Sequence, residues 1–162
     1  MANIHYSNSG GVGPQGPVGP KGDQGEEGPS GVASVISTSY NPNWTGTGLT
    51  YTGTPALGYY AAIGKLIHFH IQVTLTTVTN FGTGQYFINL PFAPIGDYAF
   101  RDGGLHVAGN HYPVMADAEA GSTSMDLWYT GANGQDLAFN KNSPHNLTTS
   151  NKFYINGTYL IP

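Results

Sequence analysis

Two imidazoles two positions apart, His68 and His70, form the pair whose spacing most directly invites chemistry. On a β-strand that spacing sends both rings to one side. Three copies around an axis would then offer six nitrogens to a transition metal. The plainer reading is the wet, hydrogen-bonded side of a strand, where histidine is ordinary, and no metal is assigned. His5, His106, His111 and His145 stand alone in the sequence. The run from Gly58 to Lys65 has the outline of a phosphate-cradling loop, but five residues rather than four separate its glycines and Leu66 stands where a hydroxyl should meet Mg²⁺. Lys65 reads instead as an exposed turn residue. Asp97, Asp102, Asp117, Glu119, Asp126 and Asp136 are carboxylates of the type that cleave glycosidic bonds when two flank the bond, yet none is paired in the sequence. No Gly-x-Ser-x-Gly elbow occurs. The absence of cysteine closes thiol catalysis, disulfides and thiolate metal sites. The chain is therefore expected not to be an enzyme and to carry no cofactor.

Binding chemistry is the better match. Trp44, Trp128 and Tyr129 have flat faces that stack on sugar rings while their polar edges stay wet. His111 and Tyr112, in a Gly/Asn-rich turn, are candidates to join them in a loop-borne glycan site. Against this stands the usual fate of large aromatics, which is burial in a core or a subunit seam.

The element that must position these groups lies far from them. Gly10, Gly13, Gly16, Gly19, Gly22, Gly25, Gly28 and Gly31 recur at every third position without a slip. Three polyproline II strands wound together need this frame, because only a hydrogen fits where each strand crosses the shared axis. A flexible linker needs no period. Pro14, Pro17, Pro20 and Pro29 occupy the second position of their triplets and pre-set φ. Lys21 and Asp23 place opposite charges one register apart on neighbouring strands, a contribution of about 0 to 1 kcal/mol per exposed pair. Residues 10–33 are thus a collagen-like stem about 70 Å long at about 3.1 Å per residue. No proline occupies a third position, so so short a stem is marginal alone and the head must hold three chains together. The chain's first partner is itself, as a homotrimer.

The remaining organisation follows in order. Residues 1–9 are short and polar but for Ile4, His5 and Tyr6, and are read as a peptide that docks the stem on a larger particle. They show no basic region followed by an apolar run, so no secretory signal is expected. Residues 34–43 are read as a neck that splays the chains, with Val35 and Ile36 plugging the axis. From residue 44 to 162 the pattern is short β-type runs broken by Gly, Pro and Asn. In Leu66 to Thr76, Ile67, Phe69, Ile71, Val73 and Leu75 alternate with His68, His70, Gln72, Thr74 and Thr76, the signature of a half-buried strand. Further strands are expected at 85–90, 97–101, 105–108, 112–116, 124–130, 136–139 and 153–161, and no helical stripe occurs. The expected head is all-β, a jelly-roll-like sandwich of about eight to ten strands that trimerises.

Composition narrows the partners. Nine per cent of residues are charged, the net charge is −4, and the five basic residues are scattered, which excludes the clustered Lys and Arg of a nucleic-acid binder. No run reaches the apolar length of a membrane span.

The run Gly58-Tyr59-Tyr60-Ala61-Ala62-Ile63-Gly64-Lys65-Leu66-Ile67, then Gly84-Gln85-Tyr86-Phe87-Ile88-Asn89-Leu90-Pro91 and the closing Ile155-Asn156-Gly157-Thr158-Tyr159, resembles the heads of tailed-bacteriophage fibre and minor tail proteins, which often follow a collagen-like stem. These motifs are turn and strand chemistry and leave Gly103 to Gln135 unmatched. The resemblance implies a trimeric structural protein on the virion surface, anchored to a capsid or tail protein through its first residues, whose head adheres to host-surface glycans. The same stem-and-head plan also suits a capsid decoration fibre, and a complement-like or tumour-necrosis-factor-like surface trimer of a bacterium.

Overall fold

The computed structural model describes residues 10–11, 15–19, 21 and 36–162. The docking residues Ile4, His5 and Tyr6 lie outside that set, as do Val35 and the stem glycines Gly13, Gly22, Gly25, Gly28 and Gly31. At Gly10, Gly16 and Gly19, no atom of the chain lies within 4 Å of where a Cβ would stand.

Ser34–Pro162 is one compact unit, separate from Met1–Ala33. It is built from twelve strands: β1 (Ser37–Tyr40), β2 (Trp44–Tyr51), β3 (Ala56–Ile63), β4 (Leu66–Thr74), β5 (Val78–Asn89), β6 (Tyr98–Phe100), β7 (Asp102–Val107), β8 (Asn110–Pro113), β9 (Met115–Ala118), β10 (Ser124–Thr130), β11 (Asp136–Ala138) and β12 (Lys152–Leu160). They form two antiparallel sheets. Sheet I runs β1-β3-β4-β12-β7-β8; sheet II runs β2-β5-β10-β9-β6, with β11 also pairing β10. Among the described residues no helix is long and apolar enough to cross a membrane.

The alternation in β4 does what its period demands. Ile67, Phe69, Ile71 and Val73 are fully buried, whereas Leu66, His68, His70 and Gln72 face outward. Both neighbours of β4 follow its parity, because residues directly opposed in a sheet share a face. Sheet II contributes Trp44, Tyr86, Ile88, Met125 and Leu127 to the same core. Aromatic edges knit the two layers: Trp44 meets Phe153 at 5.6 Å and Phe69 meets Phe100 at 4.9 Å between ring centroids.

Several boundaries differ from the expected ones, each for a local reason. β4 stops at Thr74, and Leu75 enters a single 3₁₀ turn, Leu75–Thr77, that carries the chain into sheet II. The Leu75 N–H donates to the Asn151 carbonyl at 3.1 Å, holding that turn beside β12. The run 112–116 is two strands, one in each sheet; Pro113, which has no N–H to donate, ends β8, and fully buried Val114 makes the crossing. β5 is twice as long as expected. Gly84, at φ +84, lies in the register shift opposite Gly46/Thr47, and Gly82, at φ +66, stands opposite Gly48, where a Cβ would strike the Thr47 carbonyl. Four residues assigned to the neck form β1, the edge of sheet I beside β3. They fit because Gly58 leaves the space that the Tyr40 ring fills.

Candidate functional site

The outer face of sheet II carries a groove of about 600 Å³. Its floor follows from register. Phe87 opposes Asp126, Asp126 opposes Asp117, and Asp117 opposes Ala99, so one row crosses β5, β10, β9 and β6 on one face. Two residues along β10, Trp128 shares that face and forms a wall. Asp97, Tyr98, Arg101, Glu119, Ser122 and Ser124 complete the lining.

Four carboxylates therefore line the groove, with Arg101 as its one cation. Arg101 Nη1 donates to Asp136 Oδ2 at 3.2 Å and also meets Met115 Sδ. Its Nη2 lies 3.9 Å from Asp117 Oδ1, an attraction too long to be a hydrogen bond. Asp97 is committed to the loop, its Oδ1 accepting the Ala120 N–H at 2.9 Å. Loss of hydration raises the Asp126 carboxyl above the usual carboxylate range, and the Glu119 and Asp117 charges push it the same way. Asp117 Oδ1 and Trp128 Nε1 are shielded from solvent and have no hydrogen-bond partner among the described residues. The groove thus offers an indole face and a negative field, with an unpartnered acceptor and donor beneath its surface. Such a surface suits a neutral or amine-bearing sugar and repels polyanions.

Of the expected glycan residues, Trp128 alone lines this groove. Trp44 is fully buried, stacked on Tyr51 and edge-on to Tyr86 and Phe153, beyond reach of a ligand. Tyr129 is adjacent to Trp128 on one strand, so the two side chains leave opposite faces; a shared platform is ruled out by the pleat. His111 and Tyr112 belong to sheet I. His111 Nε2 bonds the Tyr154 hydroxyl at 3.0 Å, and Tyr112 stacks on His145 at 5.6 Å between centroids.

His68 and His70 face outward together, as their spacing requires. Each is occupied by β12: His68 Nδ1 bonds Thr158 Oγ1 at 2.9 Å, and His70 Nδ1 bonds Asn156 Oδ1 at 2.5 Å. His106 and His111, five positions apart, oppose each other across the β7–β8 hairpin with ring centroids 4.7 Å apart. Gly104 makes room for the His111 ring. Among the described residues, no three His, Cys, Asp or Glu side chains converge to hold a metal ion.

The carboxylate convergence was missing from the sequence reading. Asp126 and Trp128, two apart in a recognised strand, were a legible half of it. Asp117 needed the β9–β10 register, and Asp97 and Glu119 come from loops whose placement no periodicity reveals. Compared with known proteins, the chain matches no family model, no curated protein and no solved structure.

Proposed function

We propose that this chain is a structural virion fibre protein of a bacteriophage. Three copies wind residues 10–33 into a collagen-like triple helix and project jelly-roll-like heads, while Ile4, His5 and Tyr6 dock the fibre on a capsid or tail protein. The observation that carries this reading is the unbroken glycine frame. In a triple helix each of those positions faces the other two strands, and a side chain there would hold them apart.

The head's task on this reading is adhesion to a host-surface glycan through the sheet II groove. Trp128 supplies the stacking face, Asp117 accepts from hydroxyls, Ser122 accepts from or donates to them, and the surplus of carboxylates selects neutral or amine-bearing sugars over acidic polymers. Binding of this kind needs no bond to break, so the protein acts as a ligand-holding surface rather than a catalyst.

Native mass measurement of the full chain tests the assembly: three chains are expected, with a circular-dichroism band of polyproline II type that melts on heating. A monomer at micromolar concentration would overturn it. The groove is testable by fluorescence, since Trp44 is buried and Trp128 is the other tryptophan. Titration with neutral and de-acetylated amino-sugar oligomers should shift Trp128 emission, and an acidic oligomer should not.

A further inference from the structure

We infer that the outer face of sheet I, over β1, β3, β4 and β12, is the seam at which three copies of this chain meet. The inference rests on the trimer reading above and adds to it which surface is used. The face is unusual in two respects. Leu57, Tyr59, Ile63, Leu66 and Leu160 all lie on it, each 40 to 57% exposed. Register puts them there: Ile63 opposes Leu66 and Leu66 opposes Leu160, while Tyr59 and Leu57 stand opposite His70 and Gln72.

Within these four strands the same rows are uncharged, and Asp102 of β7 accepts from Asn156 Nδ2 at their border. Ala61, His68 and Thr158 fill one row; Tyr59, His70 and Asn156 the next; Leu57, Gln72 and Tyr154 the third. No Asp, Glu, Lys or Arg interrupts them between the Lys65 turn and Lys152. The acidic groove occupies the outer face of the other sheet. A surface that must meet copies of itself tolerates apolar and hydrogen-bonding groups, whereas four like-charged carboxylates per copy would repel.

Chain length is compatible with this face. Gly31 and Ser37 are six residues apart, so full extension puts β1 of each copy within about 20 Å of the axis that the glycine frame demands. β1 is the edge strand of sheet I, with Ser37 and Ser39 in the rows of Ala61 and Tyr59. The covalent entrance to the head is therefore an edge strand of this sheet.

The experiment uses the full chain and three variants, Ile63→Glu, Leu66→Glu and Leu137→Glu. Leu137 is an equally exposed leucine on β11, away from the face. Sedimentation equilibrium is read alongside far-ultraviolet circular dichroism. Ile63→Glu and Leu66→Glu should raise the dissociation concentration at least 100-fold with strand content retained, and Leu137→Glu should leave it within threefold. Because a variant could fail to fold, the cysteine-free chain allows a second measurement. Ser39→Cys should give a three-chain product with a short trifunctional thiol cross-linker, and Ser124→Cys, on the other sheet, should not. A trimeric parent whose mass ignores both sheet I glutamates, or that cross-links through Ser124→Cys but not Ser39→Cys, overturns the seam and leaves the fibre reading standing. A monomeric parent overturns both.

Discussion

Gly157 is the position where the packing of the head can be tested most sharply. It sits on the inner face of β12, opposite Phe69 in β4, and its missing side chain is what allows Phe69 and Phe100 to meet edge to face across the two sheets at 4.9 Å and 88°. A Cβ there would lie 2.7 Å from Phe69 Cε1 and closer still to Phe100 Cδ1, well inside van der Waals contact. Neither ring is free to retreat, since Phe69 and Phe100 also pack against Tyr159. Overpacking of this kind costs about 1–3 kcal/mol. Against it stands the loss of unfolded-state freedom, which favours alanine over glycine by about 0.4–1 kcal/mol where the backbone permits, and the backbone at Gly157 is not in the left-handed region. The balance is a destabilisation of about 1–2 kcal/mol, or roughly 3–8 °C in melting temperature for a domain of this size. Gly96→Ala is the control, because no atom lies within 4 Å of its Cβ and its φ is not positive; it should be neutral or slightly stabilising. Both melts are compared with the parent at one chain concentration, since assembly makes the midpoint concentration-dependent. A second test adds Phe100→Leu to Gly157→Ala, which should cost less than the sum of the two single changes. If Gly157→Ala melts at or above the parent, the inter-sheet ring contact is not what requires glycine, and the account of this core is wrong.

Other outcomes follow from the same geometry. Trp128→Ala should abolish the fluorescence response to neutral oligosaccharides and weaken binding about fivefold or more, on the scale of about 1 kcal/mol for an aromatic contact; unchanged affinity by calorimetry would remove the groove from the function. Asp126 holds its proton more tightly in the folded state than in the unfolded chain, so its contribution is favourable at low pH and is lost as pH rises through its elevated folded value. Asp126→Asn should therefore stabilise the head at pH 7 by a few tenths of a kcal/mol, screened as an exposed like-charge pair must be, and leave the pH 3 melt nearly unchanged. The buried hydroxyls of Tyr40, Tyr86 and Tyr159 all resist ionisation, through burial first, and for Tyr159 the value is pushed up to about 12. Their stabilising effect is complete below pH 10; that of Tyr159 disappears as pH climbs from about 10 through about 12, and those of Tyr40 and Tyr86 at higher pH still. The phenolate absorbance lost when each is replaced by phenylalanine should rise together with loss of strand signal, and a rise without unfolding would contradict their burial. Ala108 is the first of two left-handed residues in the β7–β8 turn, at φ 45 ahead of Gly109; Ala108→Asn should stabilise by up to about 1 kcal/mol in a thermal melt, because Asn-Gly suits that turn.

How far the sequence reached depended on whether a feature was local. β4 was readable because five apolar residues alternate with polar ones and the inward set is buried whole. β10 was readable to the residue, at 124–130. The split between β8 and β9 was hidden, because an uninterrupted run at 112–116 gives no sign that Val114 passes from one sheet to the other. β1 was hidden as well: Ser-Thr-Ser-Tyr is strand-compatible, but only the slot left by Gly58 some twenty residues later makes it pair. Trp44 was misjudged for a related reason. Residue type leaves an indole equally suited to a sugar or a core, and two of its three aromatic neighbours, Tyr86 and Phe153, come from strands brought together only by the fold, Tyr51 being at the far end of its own strand.

Charge connects the two proposed surfaces. A head with so few ionised side chains has little to spend on solubility, and their placement is uneven: Asp97, Asp117, Glu119 and Asp126 gather on the outside of sheet II, while the β1–β3–β4–β12 rows of sheet I have no carboxylate. Spread evenly, the same carboxylates would put like charges into any three-fold contact and dilute the field of any groove. Segregated, they leave one face free to meet copies of the chain and set the other to refuse its own kind. The two proposals therefore stand in a definite relation. If Ser124→Cys cross-linked copies of the head, the acidic groove would be covered in the assembly, and adhesion through Trp128 would fail for the same reason as the sheet I seam.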